Sequence, residues 1–321
     1  VEAVASSGGQ IMPPLMGAGA FVMVELTGVP YKDIMGAALL PAILYFVTVW
    51  VGINGFAMRY DLKRVADEDL PGQREVVVTA MFFMVPFAIL LERMFNGGYT
   101  PQYAACIAIL AAFLLLFVDD RFSFSFSRLI TRLEKVALNS GRQISTIASI
   151  IICAGIVIGV LGQTGLGVKI TSLILSGSGH NLWPALILTG LACLVLGMEV
   201  PTTAAYVICV SVAGPALQEL GLSPLSAHLF VFWFALLSTI TPPVCGAVFI
   251  AAGMVGENWL RIAGCAMALG IGLYLIPLAM VANPQLIELF SEPKAALLSF
   301  VQVGAGLTAI SYGIISPKPV P

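Results

Sequence analysis

The fold is decided by the stretch STITPPVCGA, which runs from Ser238 to Ala247. Its two adjacent prolines cannot lie inside an unbroken helix, because each removes a backbone donor and crowds the carbonyl four residues earlier. Apolar sequence flanks the stretch on both sides over a length that would cross a bilayer. We therefore predict a membrane helix over residues 225–253 that is broken at mid-depth. The break frees carbonyl and N–H groups that lipid cannot satisfy, and a bound cation is one partner that could satisfy them.

The composition of the whole chain indicates an integral membrane protein. Hydrophobic residues make up 59% of the chain and charged residues 10%, whereas soluble domains carry about 25% charged residues. Glycines and prolines fall inside the apolar segments, which is typical of helical transporters. The net charge of −2 and the lack of a basic run with interleaved aromatic residues argue against a nucleic-acid partner. The cysteines are scattered singly and the two histidines are far apart, so the sequence predicts no metal cluster.

Apolar and polar segments divide the chain into four predicted regions. Residues 1–56 hold a first broken helix and the long apolar helix after it. Residues 57–145 hold a two-span hairpin flanked by basic segments, which contain nine of the fifteen Lys and Arg residues and are expected to face the cytoplasm. Residues 146–283 form a second repeat, with a re-entrant hairpin at 199–221 ahead of the broken helix. Residues 284–321 form a last span and a tail.

The broken helix occurs twice in the sequence. Residues Met12–Ala18 align with Thr241–Ala247 as Pro-Pro-x-x-Gly-Ala, and a turn with one aromatic residue, Tyr31 or Trp259, follows in each copy. Paired interrupted helices in an internal repeat are the sequence pointer to a secondary transporter. Half-helices that meet at mid-membrane direct their dipole ends at the gap between them. The repeat therefore predicts a site for ions and substrate at the two breaks.

Hydroxyl groups beside the breaks are candidate sodium ligands, because hard cations prefer oxygen ligands. The sequence leaves open the alternative that these hydroxyls only cap the broken helix ends. The candidates are Ser6, Ser7, Thr202, Thr203, Ser238, Thr239 and Thr241.

Residues 197–206 read Gly-Met-Glu-Val-Pro-Thr-Thr-Ala-Ala-Tyr. They resemble the Gly-Met-x-x-Pro-Thr-x-x-Ala-Tyr motif in the large membrane subunit of TRAP transporters, the tripartite ATP-independent periplasmic transporters. Residues 228–244 resemble the segment after that motif, and residues 5–14 resemble the broken helix after the family's first hairpin. The form Gly-Gly-Gln-Ile-Met-Pro-Pro is most similar to the subclass with fused membrane subunits and TAXI-type binding proteins. The resemblance covers about residues 1–283 and places the first hairpin before residue 1, so we expect an N-terminally incomplete sequence.

The resemblance implies an all-α, elevator-type membrane carrier of the ion-transporter kind. Such a carrier couples uptake of small organic anions, carboxylates or amino acids, to sodium as the coupling ion, with no other cofactor and no enzymatic activity. It implies a periplasmic substrate-binding protein and a small membrane subunit, or its fused equivalent, as partners. It also implies a multi-pass location in the bacterial inner membrane.

The resemblance also extends the candidate site. It adds the backbone of Gly8 and Gly9 to the sodium candidates and places the substrate between the two breaks. Glu199 stands where the family commonly has a small or apolar residue, so it is either an altered functional group or a solvated acid at the edge of the hairpin. The substrate and helix-break candidates are Gln10, Pro13, Pro14, Glu199, Pro201, Pro242 and Pro243.

Two alternatives to this carrier remain open from the sequence. A dicarboxylate- or citrate-type sodium symporter also uses re-entrant hairpins, and it differs in needing no binding protein. A membrane enzyme or an interaction protein is a different class. An intramembrane protease needs a Ser–His or paired-Asp arrangement inside its spans, whereas His180 lies in a Gly-Ser turn and Asp119-Asp120 at a span end. A Walker-type phosphate loop is absent from the sequence, which argues against an ATP-driven pump subunit.

Overall fold

The computed structural model describes residues 1–14, 16–62, 72–95, 99–117, 126–198 and 200–315. These ranges contain α-helices and short 3₁₀ helices and no strand, so the predicted all-α class is confirmed. Within them, three helices are long and apolar enough to cross a membrane, or four if one bent helix pair counts as a single span. The chain divides into two compact units, Val1–Leu62 with Ile150–Pro321, and Lys63–Ser149.

The helix bounds follow the apolar segments of the sequence closely. In chain order they are α1 (Glu2–Ala5), a 3₁₀ helix (Ser6–Gln10), α2 (Gly17–Thr27), α3 (Tyr31–Arg59), α4 (Gln73–Phe95), α5 (Pro101–Leu115), α6 (Phe126–Thr164), α7 (Leu166–Gly177), α8 (Leu182–Leu196), α9 (Thr202–Glu219), α10 (Pro224–Leu237), α11 (Gly246–Val255), α12 (Trp259–Leu269), α13 (Ile271–Ala282), a second 3₁₀ helix (Pro284–Ile287) and α14 (Pro293–Ile315).

The two copies of the broken helix share the same local structure. In each copy a helical segment ends, an irregular stretch carries the proline pair, and a short helix starts at the glycine of the repeat. That short helix, α2 or α11, ends at a glycine with a φ of 69°, Gly28 or Gly256. Glycine adopts this left-handed conformation without steric cost, which makes it the usual residue after a helix end. The peptide bond between the adjacent prolines is cis in both copies.

The long helix after each break is where the copies differ. α3 runs for 29 residues without interruption, although Pro41 lies inside it. Its counterpart in the second copy is divided at Gly270 into α12 and α13, which are bent by 41°. The two copies therefore share the structure of the break, and they differ in the helix that follows it.

α10 is the centre of the larger unit, and it leads directly into the second break. Every residue from Ala227 to Leu237 is buried, because α10 packs against α2, α8, α9 and α13. The hydroxyl of Tyr206 on α9 lies 2.7 Å from Nδ1 of His228, and both residues are buried. This histidine therefore has a packing partner and serves to hold α9 against α10.

A buried tryptophan on α10 satisfies a carbonyl that a proline has freed. Pro277 lies inside α13 and has no N–H, so it cannot bond the carbonyl of Leu273 four residues earlier. The indole Nε1 of Trp233 donates to that same carbonyl oxygen at 3.1 Å. The proline, the carbonyl and the indole together fix α13 against the central helix.

The hairpin predicted at residues 199–221 has different arms in the structure. The chain does not reverse within residues 202–219, since α9 runs through Gly214 and Pro215 as one helix. The connection at residues 197–201 joins α8 to α9, and these two helices pack against each other as the arms of a hairpin. The tip of the hairpin therefore lies at the Gly-Met-x-x-Pro motif.

Contacts with α7 explain why Pro215 does not break α9. The carbonyl of Ser211, which Pro215 frees, lies against Gly167 of α7, where a Cβ would be 3.1 Å from the oxygen. The hydroxyl of Thr171 donates to the next carbonyl, that of Val212, at 3.3 Å. α7 thus covers the backbone that a lone membrane helix would leave unsatisfied.

In the smaller unit, α4 and α5 pack against each other. The guanidinium of Arg132, near the start of α6, donates to the carbonyl of Leu116 just beyond α5 at 2.9 Å. α6 continues for 39 residues and passes through the boundary predicted between residues 145 and 146. The basic segment and the following apolar segment therefore form one continuous helix.

The bond to the freed carbonyl gives a first prediction. Trp233→Phe should lower the free energy of unfolding by about 1–3 kcal/mol, because it leaves the buried carbonyl of Leu273 without a donor. Pro277→Ala restores a backbone N–H for that carbonyl, so the cost of Trp233→Phe should fall in that background. Thermal unfolding of the purified protein in detergent measures both effects.

The same substitution at the exposed Trp183 serves as the matched control and should change stability by less than about 0.5 kcal/mol. An equal cost of Trp233→Phe with and without Pro277 would contradict the assigned role of the indole.

Candidate functional site

The two helix breaks lie next to each other in the larger unit. Oγ of Ser7, in the first copy, is 3.4 Å from Oγ1 of Thr239, in the second copy. A cavity of about 400 Å³ opens beside this pair, within the usual size range of small-molecule sites. Both breaks, the hairpin connection and the start of α11 contribute to its walls. The lining residues are Ser7, Gln10, Val200, Pro201, Thr239, Gly246, Ala247 and Ile250.

The first 3₁₀ helix places two polar side chains at the cavity. A 3₁₀ helix has three residues per turn, so Ser7 and Gln10 lie on the same face. Ser7 is buried and donates its hydroxyl proton to the carbonyl of Ala3 at 3.1 Å. Gln10 is exposed at the cavity, and its amide makes no hydrogen bond within the described part of the chain.

The hydroxyls of Ser7 and Thr239 present lone pairs to a common region. Each has a carbonyl acceptor of its own, Ala3 at 3.1 Å for Ser7 and Leu236 at 2.8 Å for Thr239. A hydroxyl has one proton, so when both protons are used in this way the two oxygens face each other as acceptors. Oxygen ligands about 2.3–2.6 Å from a cation are about 3.3–3.7 Å apart when they bind at a right angle. The observed separation of 3.4 Å therefore suits two ligands of one hard cation.

Two other candidate hydroxyls make bonds that cap the end of α10. The hydroxyl of Ser238 lies 2.9 Å from the carbonyl of Gly197, in the hairpin connection, and 2.7 Å from that of Ala235 in its own helix, so the two carbonyls share its one proton. Thr241 donates to the last turn of α10 at 2.6 Å and lies 2.7 Å from the hydroxyl of Tyr274. Neither residue lines the cavity. Ser238 instead ties the tip of the hairpin to the second break.

The remaining predicted residues are near the cavity in sequence but do not line it. Gly8 illustrates the reason, because a Cβ there would lie 2.8 Å from the rings of both Tyr45 and Phe46, so this glycine is needed for packing. Glu199 and the side chain of Ser6 lie outside the described residues. The described candidates without a place in the lining are Gly8, Gly9, Pro13, Pro14, Thr202, Thr203, Ser238, Thr241, Pro242 and Pro243.

Sequence reasoning missed several residues that build the site. Tyr31 donates to the carbonyl of Pro14, within the first break, at 2.7 Å, and Tyr45 donates to the carbonyl of Val4 in α1. Their position in the helix after the break was the only available signal. Val200 and Ile250 line the cavity, and an apolar residue in an apolar segment carries no signal at all.

The start of α11 supplies backbone polarity to the cavity. Gly246 is the first residue of this helix, no side chain caps its end, and the N–H of Ala247 donates across the break to the carbonyl of Thr239 at 3.3 Å. A helix N-terminus carries partial positive charge and favours an anion. Among the described lining residues none is charged, so hydroxyl, amide and backbone groups provide the polar contacts.

These features define a helical membrane permease with a cavity between paired helix breaks. The family model of the tripartite ATP-independent periplasmic transporter, DctM component, matches residues 1–295. The chain belongs to this family, which comprises transporter permeases rather than enzymes, as predicted.

One relative from this family shows similarity over part of the chain. The C4-dicarboxylate TRAP transporter large permease protein DctM of Pseudomonas aeruginosa is 27% identical over 180 residues. The alignment covers 55% of this chain and 40% of the relative. The matched part of the chain therefore spans less than half of that relative's length.

The contact between hairpin and break gives a second prediction. A Cβ at Gly197 would lie 2.6 Å from Oγ of Ser238 and 2.9 Å from the carbonyl of Cys193. Gly197→Ala should therefore lower the free energy of unfolding by about 1–3 kcal/mol, as overpacking does elsewhere. Thermal unfolding in detergent measures the change.

Gly264 of α12 offers the matched control, because a Cβ there meets nothing within 4 Å. Gly264→Ala should stabilise the helix by about 0.5–1 kcal/mol. Equal effects of the two substitutions would show that the hairpin tip does not press on Ser238.

Proposed function

We propose that this permease takes up small carboxylates together with sodium, as the membrane subunit of a binding-protein-dependent TRAP transporter. One observation carries the proposal. Ser7 and Thr239, from opposite copies of the repeat, bring their hydroxyl oxygens within 3.4 Å of each other at a cavity that the hairpin connection also lines. Membership of the DctM family supports the transport class.

Sodium binds in this proposal between Ser7 and Thr239. Na⁺ is a hard cation of nearly the radius of Ca²⁺, so it prefers the same oxygen ligands at similar distances. The carbonyls of Ala3 and Leu236 hold the two hydroxyl protons and leave the lone pairs for the ion. Backbone carbonyls at the breaks, including those near Gly8 and Gly9, complete the shell. Thr202, Thr203, Ser238 and Thr241 then act mainly by holding the helix ends in place.

The substrate carboxylate binds at the same end of the cavity. The amide of Gln10 offers N–H donors, and the backbone at Gly246 adds the positive end of α11. The relative from Pseudomonas aeruginosa is named for C4-dicarboxylates, which supports a carboxylate as the transported group. A carboxylate beside a bound sodium ion needs no cationic side chain, because the ion itself supplies the positive charge.

Sodium binding and carboxylate binding are coupled because both take place at the same end of the cavity. Sodium and carboxylate of opposite charge lie at one end of one cavity, so each raises the affinity for the other by the same factor. The larger unit carries both breaks and the hairpin, so the whole site can travel across the membrane as one body. We assign the elevator motion to that unit.

The partners follow from the family. We propose a periplasmic binding protein that delivers the carboxylate, and a small membrane subunit or its fused equivalent. The Gly-Gly-Gln-Ile-Met-Pro-Pro form at residues 8–14 favours the fused subclass with TAXI-type binding proteins. The bacterial inner membrane is the expected location.

Uptake into proteoliposomes tests the proposed function. The permease, reconstituted with its binding protein, should accumulate radiolabelled carboxylate only when an inward sodium gradient is imposed. Uptake in sodium-free buffer, or uptake that requires ATP, would overturn the sodium mechanism. Full uptake without the binding protein would favour a binding-protein-independent symporter instead.

The assigned ligands give a third prediction. Thr239→Val removes the hydroxyl and keeps the shape, so it should raise the half-saturating sodium concentration about 10-fold, the effect of losing about 1.4 kcal/mol of ion binding. The sodium dependence of uptake at fixed carboxylate measures the change.

Thr48→Val is the matched control, because the hydroxyl of Thr48 also donates to a backbone carbonyl one turn earlier, that of Leu44 at 2.6 Å, but does not line the cavity. It should leave the sodium dependence unchanged. An unchanged sodium dependence in Thr239→Val would remove this hydroxyl from the ion site.

A further inference from the structure

α14, which is long and apolar enough to cross a membrane, has one buried face and one exposed face. Its buried face packs against α3. The hydroxyl of Ser311 donates to the carbonyl of Thr48 at 3.4 Å, and a Cβ at Gly304 would lie 3.1 Å from Cδ2 of Leu44. These contacts fix the rotation of α14 about its own axis and so determine which residues face outward. The buried residues of α14 are Ala296, Ser299, Leu307, Ser311 and Ile315.

The outward face of α14 follows a heptad pattern. Its exposed residues recur at alternating intervals of four and three, which is the spacing of positions a and d in a left-handed helix pair. Two of them are alanines, and small residues allow the backbones of neighbouring membrane helices to approach closely. The residues on this face, which we call the α14 seam, are Leu298, Gln302, Ala305, Ala309 and Tyr312.

Gln302 is the most polar residue of the α14 seam and lies near the middle of the helix. It is the tenth of the 23 residues of α14, so about 15 Å of hydrocarbon would separate it from either surface of a bilayer. A glutamine side chain is too short to reach that far. The amide of Gln302 makes no hydrogen bond to any described residue, and an amide without a partner in hydrocarbon is costly. The seam therefore calls for a second helix that presents a polar group at the same depth.

We propose that the α14 seam binds the α14 seam of a second copy of this chain, in a parallel pair with two-fold symmetry. Copies inserted into one membrane share one orientation, so the two Gln302 side chains lie at the same depth. The partial charges of the amide are complementary to those of its own copy, because the N–H of each glutamine faces the carbonyl oxygen of the other. A single polar residue at such a position also fixes the register of a helix pair.

This inference goes beyond the proposed function, because it rests on α14 and not on the cavity or its ligands. The match to the family model ends at residue 295, so nearly all of α14 lies outside the matched part of the chain. α14 belongs to the larger unit, and pairing would therefore join the units that carry the two candidate sites.

Single cysteines on α14 test the pairing in membranes from cells that produce the full chain. In a background without the native cysteines, Ala309→Cys should form an intermolecular disulfide on oxidation with copper phenanthroline, because the two Ala309 residues face each other across the symmetry axis. The product should have twice the mass of the permease, and mass spectrometry should identify the α14 peptide on both sides of the disulfide.

Ile310→Cys is the matched control, since Ile310 is the next residue and is also exposed but points away from the α14 seam. It should form the disulfide at least ~10-fold more slowly, because its thiols lie beyond the reach of a disulfide. Equal cross-linking at the two positions would overturn the pairing. A cross-link from Ala309→Cys to a different membrane protein would also overturn it, because the seam would then have another occupant.

Energy transfer between labelled copies tests the role of the amide and needs no change of the native cysteines. Copies with donor or acceptor dyes on a C-terminal tag are reconstituted into liposomes at a series of protein-to-lipid ratios. Gln302→Leu keeps the bulk of the side chain and removes the amide, so it should raise the dissociation constant of the pair about 10-fold. Gln302→Asn keeps an amide and should retain most of the association.

Gln143→Leu makes the same change at an exposed glutamine of α6 and should leave the association unaltered. An absence of energy transfer between unsubstituted copies would overturn the pairing. An equal effect of Gln302→Leu and Gln143→Leu would contradict the assignment of Gln302 to the interface.

Discussion

A helix broken inside a membrane must satisfy the backbone groups that the break sets free, because hydrocarbon offers them no partner. In this permease several of these groups receive side-chain partners. Tyr31 donates to a carbonyl within the first proline pair, Thr241 caps the end of α10, and Trp233 reaches the carbonyl that Pro277 leaves open. These bonds allow α10 and the two breaks to lie together at the centre of the larger unit.

The candidate site lies at hydroxyl oxygens that can still accept a hydrogen bond or bind a cation after their own protons are donated to backbone carbonyls. The hydroxyls of Ser7 and Thr239 each have a backbone carbonyl acceptor a few residues earlier in the chain, and their oxygens lie 3.4 Å apart. Ser238 adds a mechanical link, since it holds the hairpin connection at Gly197 against the second break. In the proposed function, an ion bound at the breaks would act on the hairpin tip, which adjoins the same cavity through Val200. This connection would couple ion binding to substrate binding.

The sequence predicts the breaks well because proline acts locally, and the repeat of Pro-Pro-x-x-Gly-Ala marks both copies. It predicts the hairpin poorly for the opposite reason. Gly214-Pro215 has the local chemistry of a reversal, but α9 continues through both residues and packs against α7, and such tertiary contacts have no local signature. The same limit applies to the site: Ser7, Gln10 and Thr239 come shortly before the proline pairs in sequence and could be predicted. Ile250 could not, because an apolar residue in an apolar helix does not show which neighbour it faces.

The central claim is that the two breaks meet, and a cysteine pair at Ser7 and Thr239 tests it directly. In a background without the native cysteines, Ser7→Cys with Thr239→Cys should form a disulfide on mild oxidation, detected by mass spectrometry of the cross-linked peptides. Gly9→Cys with Thr239→Cys is the control, since Gly9 faces open space. Cross-linking no faster at Ser7 than at Gly9 would contradict the account.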